Sequence, residues 1–201
     1  MIYDIFPSTI YVKDYDLPQH WSDELKTILN TIVYNEKASG KSLNEIANNS
    51  LPLFTKENEK KFPYLAEVKE YFIQGFHTLA QHSDIPKELN LSLEGIRSKI
   101  AKETGKLPIA QPGSYQATHN HIGAMAFGIF YLDDVDNKKD GGELILHDPS
   151  FNSNMGFACN PIHKIETKRN RLIIAPAHIW HSVSMFSGKS RSTIVINLNA
   201  F

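Results

Sequence analysis

Three histidines and one arginine in the second half of the chain have the types and spacing for chemistry: His119 and His121, His181, and Arg191 ten residues beyond it. Residues two apart in a strand point to one face, so an extended segment lets His119 and His121 reach a single ion. Neutral imidazoles suit iron, zinc, copper or nickel. A facial set needs a third ligand from a distant strand. His181 is preferred for its spacing to Arg191, and His178 competes with it. Pro176 keeps the approach to both extended.

Arg191 and Thr193 share a face if their segment is a strand. A guanidinium fork beside a hydroxyl is a good receiver for a carboxylate, because the fork makes two charge-assisted hydrogen bonds at once. The same pattern also suits a solvated arginine at a strand start after Gly188-Lys189-Ser190. His77 and His82 belong to no such constellation and read as surface or packing residues.

Elements that could position these groups follow from hydrophobic periodicity. Residues 2–12 read as an extended N-terminal strand interrupted at Pro7, and residues 14–18 as a turn. Trp21, Leu25, Ile28, Leu29, Ile32 and Val33 recur at helical spacing. Residues 39–53 read as an exposed loop with a short helix. Leu65, Val68, Tyr71, Phe72, Phe76, Leu79 and Ala80 form one stripe of a helix over 63–82, begun by Pro63 and packed on a sheet.

Beyond Pro86 short strands are expected over 89–100, 109–121, 124–132, 143–147, 171–175, 181–185 and 193–198. Turns separate them at Pro112-Gly113, Asp140-Gly141-Gly142, Asp148-Pro149 and Ser187-Gly188. The chain is therefore expected to be α+β: an antiparallel sandwich or barrel with N-terminal helices buttressing one face. Its 201 residues suit a single domain over 1–201, with helical support over 1–88 and the core over 89–201.

A net charge of −1 argues against a bulk field for nucleic acid or an anionic membrane, and no apolar run approaches spanning length. Cys159 is the only cysteine, so a thiolate zinc site and an intramolecular disulfide are excluded. Asp4 stands where a signal peptide needs a basic region. A cytoplasmic, soluble protein is expected, and the composition leaves room for a homodimer.

Taken together, Gln111-Pro112-Gly113-Ser114-Tyr115, His119-Asn120-His121, Gly128-Ile129-Phe130-Tyr131-Leu132, Gly141-Gly142-Glu143-Leu144, Asp148-Pro149, Trp180-His181-Ser182-Val183, Arg191 and Asn197 form an ordered series. It resembles the iron(II)/2-oxoglutarate dioxygenases, nearest to the oxygenases of phages and marine bacteria. The resemblance covers about residues 93–199 and implies a cupin-like double-stranded β-helix, or jelly roll.

The resemblance also implies an oxidoreductase that uses Fe(II), O2 and the co-substrate 2-oxoglutarate. His119 and His181 match its two histidine ligands, and His121 falls where the family carries a carboxylate. Arg191 and Thr193 match the grip on the distal carboxylate of 2-oxoglutarate, to which Tyr131 adds a phenol hydroxyl. Hydroxylation of a further substrate is the implied reaction.

Three neutral histidines would leave the full charge on the metal, and Asp148 is an alternative source of an acid. Gly123 and Gly128 suit either a mobile mouth with close backbone approach or plain turns and bulges. Residues 152–160 could cover the site. Two rival readings keep the fold: a cupin-like three-histidine metalloenzyme that uses no 2-oxoglutarate, and a non-catalytic jelly-roll binding module.

Overall fold

The computed structural model describes residues 8–34, 54–82, 91–102, 114–148, 162–188 and 190–200. The expected features at 1–7, 39–53, 112–113 and 152–160 lie outside these residues. Four helices are described: α1 (Gln19–Tyr34), α2 (Lys56–Lys61), α3 (Pro63–His82) and the short α4 (Asn137–Asp140). The strands are β1 (Tyr11–Asp14), β2 (Leu91–Lys102), β3 (Ser114–His119), β4 (Ala126–Tyr131), β5 (Leu144–His147), β6 (Ile162–Ile165), β7 (Arg171–Pro176), β8 (His181–Phe186) and β9 (Ser190–Ala200).

They form two sheets, in the orders β1-β7-β4-β9-β2 and β3-β8-β5-β6, with every pairing antiparallel. Three described helices ahead of strands β2–β9, and two antiparallel sheets, agree with the α+β expectation, while β1 precedes the helices and joins the edge of the first sheet. None of the described helices is long and apolar enough to cross a membrane.

The central strand β4 has all six residues buried, because both faces of its sheet are covered. This explains why its sequence is a continuous apolar run and not an alternation. Ala126 and Phe130 face α1 and α3, together with Leu172, Ile174, Ile194, Ile196 and Leu198. The helices bring Leu25, Leu65, Val68, Phe72, Phe76 and Leu79 to that layer. Burying a side chain such as Phe72 contributes about 1.5–3 kcal/mol.

Gly128 lies in the same layer. A Cβ there would meet the Phe72 ring at 2.7 Å. The glycine therefore lets α3 approach the sheet and does not form a mouth at the functional site. Gly123 sits instead in a turn, at φ +92° with open space around it.

The opposite face of β4 carries Phe127, Ile129 and Tyr131, which pack with Ile173 and Ala175 against Leu144, Leu146 and Ile165 of the second sheet. Residues that alternate along β4 thus serve two different cores. The inter-sheet core is the one that separates the His119/His181 end of the molecule from the Arg191 end.

Candidate metal centre

His119 and His181 stand directly opposite each other in the β3–β8 ladder. Cross-strand partners have their Cβ atoms about 5 Å apart, so pairing alone brings these two imidazoles together; their ring centroids are 4.3 Å apart. β3 ends at His119, and His121 lies beyond the strand, where the chain enters a turn. The expectation that strand alternation puts His119 and His121 on one face is corrected accordingly. His121 reaches the cluster because its backbone N–H donates to the Ala177 carbonyl at 3.1 Å, and its carbonyl accepts from Ala124 at 3.1 Å.

One potential ligand atom from each of His119, His121 and His181 lies within 4.8 Å of the other two. Three imidazoles this close are candidates to share one ion, for which imidazole nitrogens typically stand at about 2.0–2.1 Å. His181 is buried, while His119 and His121 are half-buried, so the cluster sits at the margin of the inter-sheet core. His178 is exposed, as is Asp148, and neither belongs to the cluster. His77 and His82 lie on α3 and also stand outside it.

Hydrogen bonding sets the imidazoles in the form a metal needs. His119 Nδ1 donates to the Ala117 carbonyl at 2.9 Å, His181 Nδ1 to the Ile179 carbonyl at 3.1 Å, and His121 Nδ1 to Asn197 Oδ1 at 2.5 Å. Each acceptor is an oxygen, so Nδ1 carries the proton and Nε2 keeps its lone pair. Gln116 Nε2 lies 2.9 Å from His119 Nε2 and donates to that lone pair; a metal would displace this amide. Burial, reinforced by nearby His119, pushes the His181 imidazole down to about 3, so it is neutral at physiological pH.

Phe127 forms the floor. Its ring stacks on His181 at 4.2 Å and 21°, and on His121 at 4.8 Å and 14°. It is fully buried and pairs across the ladder with Asn197.

At the other end of the inter-sheet core Arg191 is only 8% exposed. Its Nε donates to the Gly142 carbonyl at 3.0 Å and to Thr167 Oγ1 at 3.4 Å. Both bonds leave from Nε, and among the described residues no carboxylate pairs with the guanidinium. The solvated strand start considered for Arg191 is therefore replaced by a buried cation.

Tyr131 is fully buried, with Arg191 Cζ 5.3 Å from its ring centroid. Its hydroxyl lies close enough to Arg191 and Thr167 for each to oppose the rise in its pKa, although no well-formed hydrogen bond joins it to either. Burial pushes the phenol pKa up against the opposing influence of Arg191, so the hydroxyl remains a donor. Thr193, also buried, is the cross-strand partner of Tyr131. A buried cation with no carboxylate partner among the described residues, next to a buried hydroxyl, has the chemistry to receive an anion.

Thr167, Phe127 and Asn197 are the groups whose parts in this arrangement residue spacing did not reveal. Thr167 lies in a polar connection with no motif. Phe127 reads as core, and Asn197 is drawn to the site only through the pairing of β9 with β4.

No protein-family model matches the chain. No curated protein matches it either. Among solved structures it is similar to a prolyl-4-hydroxylase from Pseudomonas putida, with a TM-score of 0.54 at 14% identity, covering 96% of this chain and 92% of that one. A prolyl hydroxylase from Trichoplax adhaerens, solved in complex with a hypoxia inducible factor oxygen degradation domain peptide fragment, has a TM-score of 0.56 at 17% identity, covering 96% and 83%. For a prolyl 4-hydroxylase from Phytophthora capsici the TM-score is 0.57 at 15% identity; the match covers 95% of this chain and 58% of the other. The chain shares the fold of these hydroxylases.

Proposed function

We propose that the protein is an iron(II)- and 2-oxoglutarate-dependent oxygenase, acting as a hydroxylase, and that its two sheets form a double-stranded β-helix. One observation carries this reading. A cluster of three imidazoles, each with Nδ1 tied to an oxygen, shares the inter-sheet core with a buried arginine that has no carboxylate partner among the described residues. The two ends are separated along β4 by the four-residue interval from Phe127 to Tyr131, a rise of about 13 Å. A dicarboxylate with a keto acid at one end fits such a pair of receivers.

His119, His121 and His181 would hold the iron. When bound, iron(II) supplies oxygen activation coupled to oxidative decarboxylation of the keto acid to succinate and carbon dioxide. Arg191 would grip the distal carboxylate through its two terminal nitrogens, with Tyr131 donating its hydroxyl and Thr193 standing beside it. The Gly142 carbonyl and Thr167 hold Nε and so aim the fork. Phe127, Ile129, Leu144 and Leu146 line the core between the two ends and exclude water.

Three neutral ligands leave the ion its full charge, which strengthens attraction for an anionic co-substrate. Ile122 and Trp180, exposed next to His121 and His181 in the chain, offer apolar contacts to the substrate that is hydroxylated.

Anaerobic addition of iron(II) and then 2-oxoglutarate tests the proposal. A weak visible charge-transfer band and, on exposure to oxygen, succinate formation are expected. Iron uptake without either response would favour a three-histidine metalloenzyme that takes a different carboxylate at Arg191. No metal uptake would leave a binding module.

A further inference from the structure

We propose that Asn197 is a positioning residue that selects the tautomer of His121, presenting Nε2 of that ring to the metal; the metal itself rests on the reading above. His119 and His181 direct Nδ1 to backbone carbonyls two residues back in their own segments. His121 is different, because it lies past the end of β3 and takes its Nδ1 partner from a side chain on β9, 76 residues away. Asn197 Oδ1 can only accept, so at 2.5 Å it requires the proton to sit on Nδ1.

The ring is fixed on two sides by one rung of the first sheet. Asn197 engages its edge, and Phe127, the cross-strand partner of Asn197, stacks under its face at 4.8 Å and 14°. Those two contacts replace the strand geometry that His121 lacks. An amide in this place also differs from a carboxylate: it orients the imidazole without adding charge, so the ligand set and its support stay neutral.

Two measurements on the full chain test the assignment. In metal-free protein labelled with ¹⁵N, long-range ¹H–¹⁵N correlation spectra should show His121 as the Nδ1–H tautomer in the wild type and in Asn197→Asp, and a mixture of tautomers in Asn197→Leu. Cobalt(II) titration should show Asn197→Leu weakened by about 10–100-fold and Asn197→Asp at least as tight as the wild type. In a His121→Ala background the leucine change should cost nothing further.

An Nε2–H tautomer in the wild type would overturn the proposal. So would equal losses in the leucine and aspartate variants, which mark a merely structural residue, or unchanged cobalt affinity in the leucine variant. Should Asn197→Leu not fold, Asn197→Ala makes the same comparison. If the wild type takes up no cobalt, the metal reading fails, while the tautomer spectra still decide the role of Asn197.

Discussion

The guanidinium of Arg191 lies over the ring of Tyr131, its Cζ 5.3 Å from the ring centroid, with both side chains buried in the inter-sheet core. The tyrosine hydroxyl closes no hydrogen bond among the described residues. Removing it therefore leaves no partner stranded. Tyr131→Phe should leave thermal stability unchanged within about 1 kcal/mol, yet weaken 2-oxoglutarate binding by about tenfold, the loss of one hydrogen bond to a charged acceptor. Thermal denaturation and ligand titration of the same variant check the two halves.

Metal uptake should depend on His181 and not on its exposed neighbour. His181→Ala is expected to abolish stoichiometric iron or cobalt binding, and His178→Ala to leave it intact, since only His181 faces the other two imidazoles. Metal content after dialysis measures both. Retained stoichiometric metal in His181→Ala would contradict the ligand set.

Gln116 competes with a metal for the lone pair of His119. Gln116→Ala should raise cobalt(II) affinity by about fivefold, the equivalent of one ordinary hydrogen bond of about 1 kcal/mol. Calorimetric titration reads the change, and a weaker affinity in the variant would show that the amide supports the ligand.

Gly128→Ala should destabilise the fold by about 1–3 kcal/mol, because its Cβ would be driven into the Phe72 ring at 2.7 Å. Chemical denaturation checks the magnitude. The loss belongs to the contact between α3 and β4, so metal affinity measured well below the melting temperature should be unaffected.

Asp14 and Arg171 are cross-strand partners, with Arg171 Nε 2.7 Å from Asp14 Oδ1. The hydrogen bond from Arg171 holds the Asp14 carboxyl down at about 2, against an ordinary value of 3.8. A depressed carboxyl stabilises the fold above its unfolded pKa, and that contribution fades as pH falls from about 3.8 through about 2. Asp14→Asn should be slightly less stable than the wild type at neutral pH, and the difference should vanish on acidification through that window. Asp14 is half-exposed, so screening keeps the effect small.

The residues proposed to carry chemistry are legible in the sequence because their types are restrictive. A His-x-His pair, a distant histidine and an arginine beyond it have few shared structural uses, and the stripe from Leu65 to Ala80 could bury only one face. β6 escaped because it is short and mostly solvated; of its four residues only Ile165 is buried. His121 reaches the cluster by a route other than strand alternation, since the chain leaves β3 before reaching it and long-range hydrogen bonds, not local geometry, return its ring to the other two. Gly128 was ambiguous for a similar reason: which face of β4 it occupies depends on where α3 packs. The grip of Thr167 on Arg191 and of Asn197 on His121 spans 24 and 76 residues, beyond the range of local patterns.

The central claim is a two-point grip, with a metal at the three histidines and Arg191 at the far end of the same core. Its most direct measurement compares 2-oxoglutarate with 2-oxobutyrate, which keeps the keto acid and lacks the distal carboxylate, in metal-loaded wild type and Arg191→Ala. The wild type should favour 2-oxoglutarate by about 100-fold, the worth of a two-bond charged clamp of about 3 kcal/mol. Arg191→Ala, with metal content unchanged, should bind the two acids about equally. Equal affinity in the wild type, or a preference that survives the loss of Arg191, would contradict the account.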